Sequence, residues 1–144
     1  MATISQLLKT KGSELVSIAP DQPVLEALKI MAANKIGAVV VMQDKMIVGM
    51  FTERDYARKV ILEGKHSDKC AVKDVMTERV IYVRPDQTVE ESMALMTNKH
   101  VRHLPVCEGE TIYGIISIGD VVKAMISEKE FIISQLENYI TGGR

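Results

Sequence analysis

Two short stretches carry the residues best suited to holding a polar ligand: Gly49-Met50-Phe51-Thr52-Glu53-Arg54-Asp55 and Gly114-Ile115-Ile116-Ser117-Ile118-Gly119-Asp120. Both read Gly-x-x-[Thr/Ser]-x-x-Asp, and they lie 65 residues apart in a chain of 144. An ionised carboxylate accepts hydrogen bonds on two oxygens, and a hydroxyl three residues earlier both donates and accepts. An Asp at the head of a helix also serves as an N-cap, and the two roles do not exclude each other. Beyond these motifs there is no catalytic set. No serine or cysteine is paired with a base in a known pattern, no Gly-x-x-x-x-Gly-Lys-[Ser/Thr] loop is present, and His66 and His100 lack partners at metal-ligand spacing. The expectation is a binding protein and no enzyme.

The elements that position the motifs come from an internal repeat. At an offset of 65, Pro20-Asp21-Gln22 meets Pro85-Asp86-Gln87, and Val24, Glu26, Met31, Val41, Ile47, Gly49, Asp55 and Ile61 each meet an identical residue. The register slips near the start: Ile4 to Leu8 resembles Val72 to Met76 at an offset of 68, which places a three-residue insertion near Thr10-Lys11-Gly12. Each half predicts a strand (Leu15 to Ile18; Val80 to Val83), then a helix with an apolar face (Val24, Leu28, Met31; Val89, Met93, Met96). Thr88 and Glu91 stand at capping-box spacing, and Pro23 stands at the matching helix start, where its missing N–H costs little. Two strands follow around a turn at Gln43-Asp44-Lys45 or Gly109-Glu110, and the Asp motif leads into a second helix. The order is β-α-β-β-α, written twice. The expected division is residues 1–64 as the first repeat with an N-terminal helix, 65–71 as a polar linker, 72–128 as the second repeat and 129–144 as a helical extension. Halves this small bury little surface alone, so they are expected to pack sheet to sheet with pseudo-twofold symmetry in an α+β (α/β) fold.

Composition narrows the partners. Apolar residues make up 47% and charged residues 26%, enough for a packed core. Net charge is −1 and aromatics are 4%, which argues against nucleic acid as a partner. The longest apolar run, Ile36 to Met42, is too short to span a bilayer, and the first residues lack the pattern of a secretory signal. Cys70 and Cys107 form no Cys-x-x-Cys pair and read as reduced thiols in a cytoplasmic protein. The nine methionines read as core filler.

The tandem β-α-β-β-α pattern, Asp74-Val75-Met76-Thr77, Val101-Arg102-His103-Leu104-Pro105-Val106 and the two Asp motifs resemble the cystathionine β-synthase (CBS) domain pair, over about residues 4 to 128. The resemblance implies a stand-alone, bacterial-type regulatory module that binds AMP, ADP, ATP or NAD between its halves, with S-adenosylmethionine less favoured. On that basis Asp55 and Asp120 would take the ribose hydroxyls, and Thr52 and Ser117 would bond ribose or phosphate. The resemblance also implies that each Asp is served by residues of the other half. One pocket would then collect Thr52, Arg54, Asp55, Thr77, Arg102 and His103, a set rich in donors for a phosphate. The other would collect Ser117, Asp120, Gly37, Ala38 and Lys11 of the entry loop. Arg102 also reads as a surface charge, and His103 as an ordinary polar strand residue.

From Asp120 to Ile140 a helical period runs through Val122, Met125, Ile126, Ile132, Ile133, Leu136 and Ile140, and Thr141-Gly142-Gly143 is expected to stop it. Its end is expected to dock on its own domain or on a second copy, with a homodimer as the default. The functional expectation is an adenine-nucleotide sensor that transmits energy or redox state to a regulated protein partner. The rival is a ligand-independent dimerisation scaffold acting through the last helix.

Overall fold

The computed structural model describes residues 2–12 and 15–141. Its chain divides into two compact units, Leu15–Ile81 and Met1–Glu14 together with Tyr82–Arg144. Each sequence repeat therefore works with the entry segment that precedes the other repeat.

The unit Leu15–Ile81 holds β1 (Ser17–Ile18), α2 (Val24–Asn34), β2 (Ala38–Gln43), β3 (Met46–Thr52) and α3 (Glu53–Asp55), which runs into a π-helical turn, Tyr56–Ile61. The sheet order is β1-β2-β3, with β1 parallel and β3 antiparallel to β2. Asp44 and Lys45 close the hairpin with φ of 53° and 66°, the left-handed pair that suits a two-residue turn. Ile18, Val24, Met31, Val39, Val41, Phe51, Val60, Val72 and Val75 form its core. The segment expected as a linker is bound to the N-terminal end of α2, because Leu25 N–H donates to Ser67 O (2.9 Å) and Val24 N–H to Cys70 O (2.8 Å). Val72 N–H and Lys73 N–H then donate to Gln22 O and Pro20 O.

The other unit repeats this plan with α1 (Ile4–Lys11), α4 (Val89–Lys99), β4 (His103–Glu108), β5 (Thr111–Ser117) and α5 (Ile118–Ile140). Its entry segment makes the equivalent bonds: Ile4 N–H to Gln87 O, Ser5 N–H to Pro85 O and Val89 N–H to Ala2 O. Its buried positions match those of the first unit in the repeat, with Val83, Val89, Met96, Leu104, Val106 and Ile116 where the other has Ile18, Val24, Met31, Val39, Val41 and Phe51. Thr88 caps α4 in a full capping box with Glu91, as its spacing predicts. Pro23 stands at the N-cap of α2, the position that matches Thr88, with no side-chain cap.

Two expectations are corrected. The strand expected over Val80 to Val83 is a single parallel bridge, Val83 with Val106. Val83 N–H donates to Pro105 O (3.0 Å) and Val83 O accepts from Cys107 N–H (2.8 Å), but Pro105 has no N–H, so the ladder ends there. In the other unit the matching residue is Val40, whose N–H reaches Val16 O (3.4 Å). Lys11 ends a helix of eight residues and does not lie in a loop. Along the end of α5, Phe131, Ile132, Ile133, Leu136, Tyr139 and Ile140 are all exposed. The helix ends at Ile140 with Thr141 as its C-cap, where the stop was expected, and Gly142 and Gly143 lie outside the described residues.

Candidate functional site

Both Asp motifs fold as capping boxes. The N-cap is the hydroxyl residue and the Asp is the third helical residue, so the Asp is not itself the N-cap. Asp55 N–H donates to Thr52 Oγ1 and Thr52 N–H donates back to Asp55 Oδ2, both at 3.1 Å. Asp120 N–H donates to Ser117 Oγ (3.2 Å) and Ser117 N–H to Asp120 Oδ2 (2.8 Å). The helix N-terminus adds its positive end to each carboxylate.

The motif glycines are required for different reasons. A Cβ on Gly49 would stand 2.6 Å from Met76 Sδ and 2.9 Å from Thr77 O. That lack of space lets Thr77 pair with β3: Met50 N–H donates to Thr77 O (2.9 Å) and Thr77 N–H to Met50 O (2.8 Å). Gly114 has φ of 150°, a backbone that favours glycine.

In the unit Leu15–Ile81, Asp55 is buried and enclosed. Thr77 Oγ1 donates to Oδ1 (3.0 Å) and Oδ2 (3.2 Å), and Lys59 Nζ lies 3.0 Å from Oδ1. Lys59 was not singled out in the sequence, although its i,i+4 spacing from Asp55 is an ordinary helical ion-pair signal. Gly37 O accepts from Glu53 N–H (3.0 Å), and Ala38 pairs with Thr52 across the hairpin. Gly37 and Ala38 thus lie beside the first motif within this unit, and Arg54 is exposed at the head of α3.

In the other unit, Lys11 is brought to Asp120. Its Nζ lies 2.6 Å from Asp120 Oδ2 and 2.6 Å from Ile115 O. Burial pushes the Asp120 carboxyl up, but the Lys11 hydrogen bond, the Ser117 bonds and the Lys11 charge outweigh it and hold it below the ordinary aspartate value. Arg102 O accepts from Ile118 N–H (2.9 Å), and His103 pairs with Ser117 across the hairpin. Arg102 is exposed and His103 half-buried.

Other features do not join these clusters. A groove of about 490 Å³ bordered by Thr3, Leu8, Lys9, Asp86 and Tyr113 includes none of the expected ligand residues. Cys70 and Cys107 are free thiols, and burial pushes Cys107 up, which disfavours the reactive thiolate. Among the described residues no helix is long and apolar enough to cross a membrane.

Comparison with known proteins places the geometry in context. The CBS domain family model matches residues 5–62 and 72–127. The chain is similar to the Arabidopsis thaliana mitochondrial CBS domain-containing protein CBSX3, at 38% identity over 98% of this chain and 73% of that one. It is similar in structure to a putative signal-transduction protein with CBS domains from Burkholderia ambifaria, with 43% identity and a TM-score of 0.84 over 88% of this chain and 95% of that one. A hexameric CBS-CP12 protein from bloom-forming cyanobacteria matches at 26% identity and a TM-score of 0.76, over 85% of this chain and 70% of that one.

Proposed function

This chain belongs to the CBS-domain family, and from that membership we propose that it is a regulatory module that binds an adenosine-containing nucleotide through its two Asp motifs. CBS-domain pairs are generally regulatory and signal-transducing, and they commonly bind adenosine derivatives. The observation that supports the reading is the capped carboxylate at the head of a helix in both repeats, with a hydroxyl beside it. The two carboxylates take ribose hydroxyls, and Thr52 and Ser117 bond ribose or phosphate. Arg54, Arg102 and His103 supply cationic or donor groups for phosphate, Thr77 and Lys11 complete the polar shells, and Gly37 and Ala38 leave room for a flat base. AMP, ADP, ATP and NAD are the ligands proposed, ahead of S-adenosylmethionine. The nucleotide acts on a partner through its differential affinity for two states of the module. The test is calorimetric titration of ligand-free protein with AMP, ATP, NAD and S-adenosylmethionine, beside the Asp55→Ala/Asp120→Ala double variant. Micromolar binding of one adenine nucleotide, lost in a double variant that still folds, is the expected result; equal affinity in the double variant contradicts the reading.

A second reading is favoured by the exposed apolar end of α5. In it the module is a homodimeric scaffold whose last helix meets a second copy, with no ligand needed. Sedimentation of the wild type beside Phe131→Glu/Leu136→Glu tests it: a dimer that becomes a monomer supports the scaffold, and an unchanged sedimentation coefficient removes that role from the helix.

A further inference from the structure

We propose that Lys11 makes the Asp120 motif selective for phosphorylated nucleosides over uncharged ones. This inference rests on the nucleotide-binding reading above and adds a residue that sets ligand class. The Lys11 ammonium bridges Asp120 Oδ2 and Ile115 O, at 2.6 Å each. In the other unit the matching acceptors, Asp55 and Met50 O, are held by Thr77 through its hydroxyl and its backbone N–H, and Lys59 pairs with Asp55 at Oδ1, leaving Met50 O to the main chain alone. Thr77 is bound there by its own main chain, whereas Lys11 reaches its acceptors at the end of a flexible four-carbon stem. The Asp120 side chain is 25% exposed against 8% for Asp55, so the Asp120 carboxylate is the more open of the two, while the lysines beside them, Lys11 and Lys59, are both part-exposed.

The bonds to Asp120 converge on Oδ2. A vicinal diol that engages both carboxylate oxygens must therefore displace the ammonium from Oδ2. An uncharged nucleoside offers the displaced ammonium no counter-charge, and the exchange is unfavourable. A phosphorylated nucleoside offers its phosphate, and a charge-assisted bond replaces the one that was broken. Lys11 also neutralises Asp120 in the free chain, which removes a like charge that would repel the phosphate.

The experiment is an NMR titration with AMP and with adenosine, read at the Asp120 side-chain carboxyl so that the Asp55 motif does not contribute. Wild type, Lys11→Met, Lys11→Gln and Lys11→Arg are compared, each checked for folding by thermal unfolding. Wild type is expected to prefer AMP, and both neutral variants to lose about tenfold of that preference, the size of one charge-assisted hydrogen bond. Lys11→Arg is expected to retain it. An unchanged AMP-to-adenosine ratio in the folded neutral variants overturns the inference and leaves nucleotide binding standing. Failure of the wild type to bind either ligand overturns the nucleotide reading, and this inference with it.

Discussion

Asp55 and Asp120 occupy the same position in the repeat, close the same capping box and sit in different surroundings. Asp55 is enclosed by Thr52, Thr77 and Lys59, with donors on both oxygens. Asp120 is more open, with Ser117 and Lys11 converging on Oδ2. The difference comes from the entry segments. In one unit the chain after the short Val72–Asp74 turn runs on as backbone beside β3, where Thr77 pairs with Met50. In the other, α1 continues as helix to Lys11, and a side chain takes over the role of a strand neighbour. A duplicated motif has thus become one enclosed carboxylate, held by Thr77 as well as by Lys59, and one more open carboxylate whose strand neighbour is the Lys11 side chain.

The sharpest way to break this comparison is at the glycines. Gly49→Val drives a side chain into Met76 and the Thr77 carbonyl and is expected to cost about 3 kcal/mol. Gly114→Ala is expected to cost about 1–2 kcal/mol through its backbone conformation. Urea unfolding measures both, and equal losses would mean that close packing of Thr77 on β3 does not distinguish the units.

Removing each carboxylate comes next. Asp55→Ala strips a buried acceptor from Thr52, Thr77 and Lys59 and is expected to cost about 2–3 kcal/mol. Asp120→Ala removes a capping partner and a part-exposed pair, for about 1 kcal/mol. Chemical denaturation of the two variants side by side checks the order, and a larger loss at Asp120 would reverse the assignment of the enclosed site.

A smaller effect sharpens the role of Lys11. The folded Asp120 carboxyl titrates below its unfolded value, so its stabilisation is complete above the ordinary aspartate range and fades as pH falls through the folded value. Lys11→Met raises that folded value toward the ordinary one. The stability difference between wild type and Lys11→Met is therefore expected to be constant near neutral pH and to shrink below about pH 4. Urea midpoints across pH 3 to 7, on the order of four values, are enough to see it, and a difference that grows on acidification would contradict the pairing.

Much of this was legible in the sequence. The offset of 65 aligned the buried positions, because a repeat conserves its inward face; Val24 with Val89 and Met31 with Met96 are examples. The Thr88–Glu91 capping box was readable from spacing, and the same spacing in Thr52–Asp55 and Ser117–Asp120 carried a signal that an N-cap reading of the Asp overlooked. The exchange of entry segments entered only with the family resemblance, which set Thr77 with Asp55 and Lys11 with Asp120; composition and periodicity do not carry it, because it depends on which main-chain groups meet over long sequence separations, as Ile4 and Gln87 do. The loss of the Val80 to Val83 strand turned on one missing N–H at Pro105, where side-chain propensity pointed the other way.

The smallest predicted effect tests where the repeats are alike. Lys35 and His100 both end their helices in the left-handed region, at φ of 55° and 56°. Replacing either with Gly is expected to add about 0.5–1 kcal/mol, equally in the two units, and thermal unfolding of both variants reads it.

The most direct test of the central claim is titration of the wild type, Asp55→Asn and Asp120→Asn with AMP by calorimetry. If the more open carboxylate, Asp120, is the one that first receives the nucleotide, Asp120→Asn loses the tighter binding event and Asp55→Asn, where it remains folded, keeps it. The reverse pattern, or tight binding that survives both substitutions, would contradict the account.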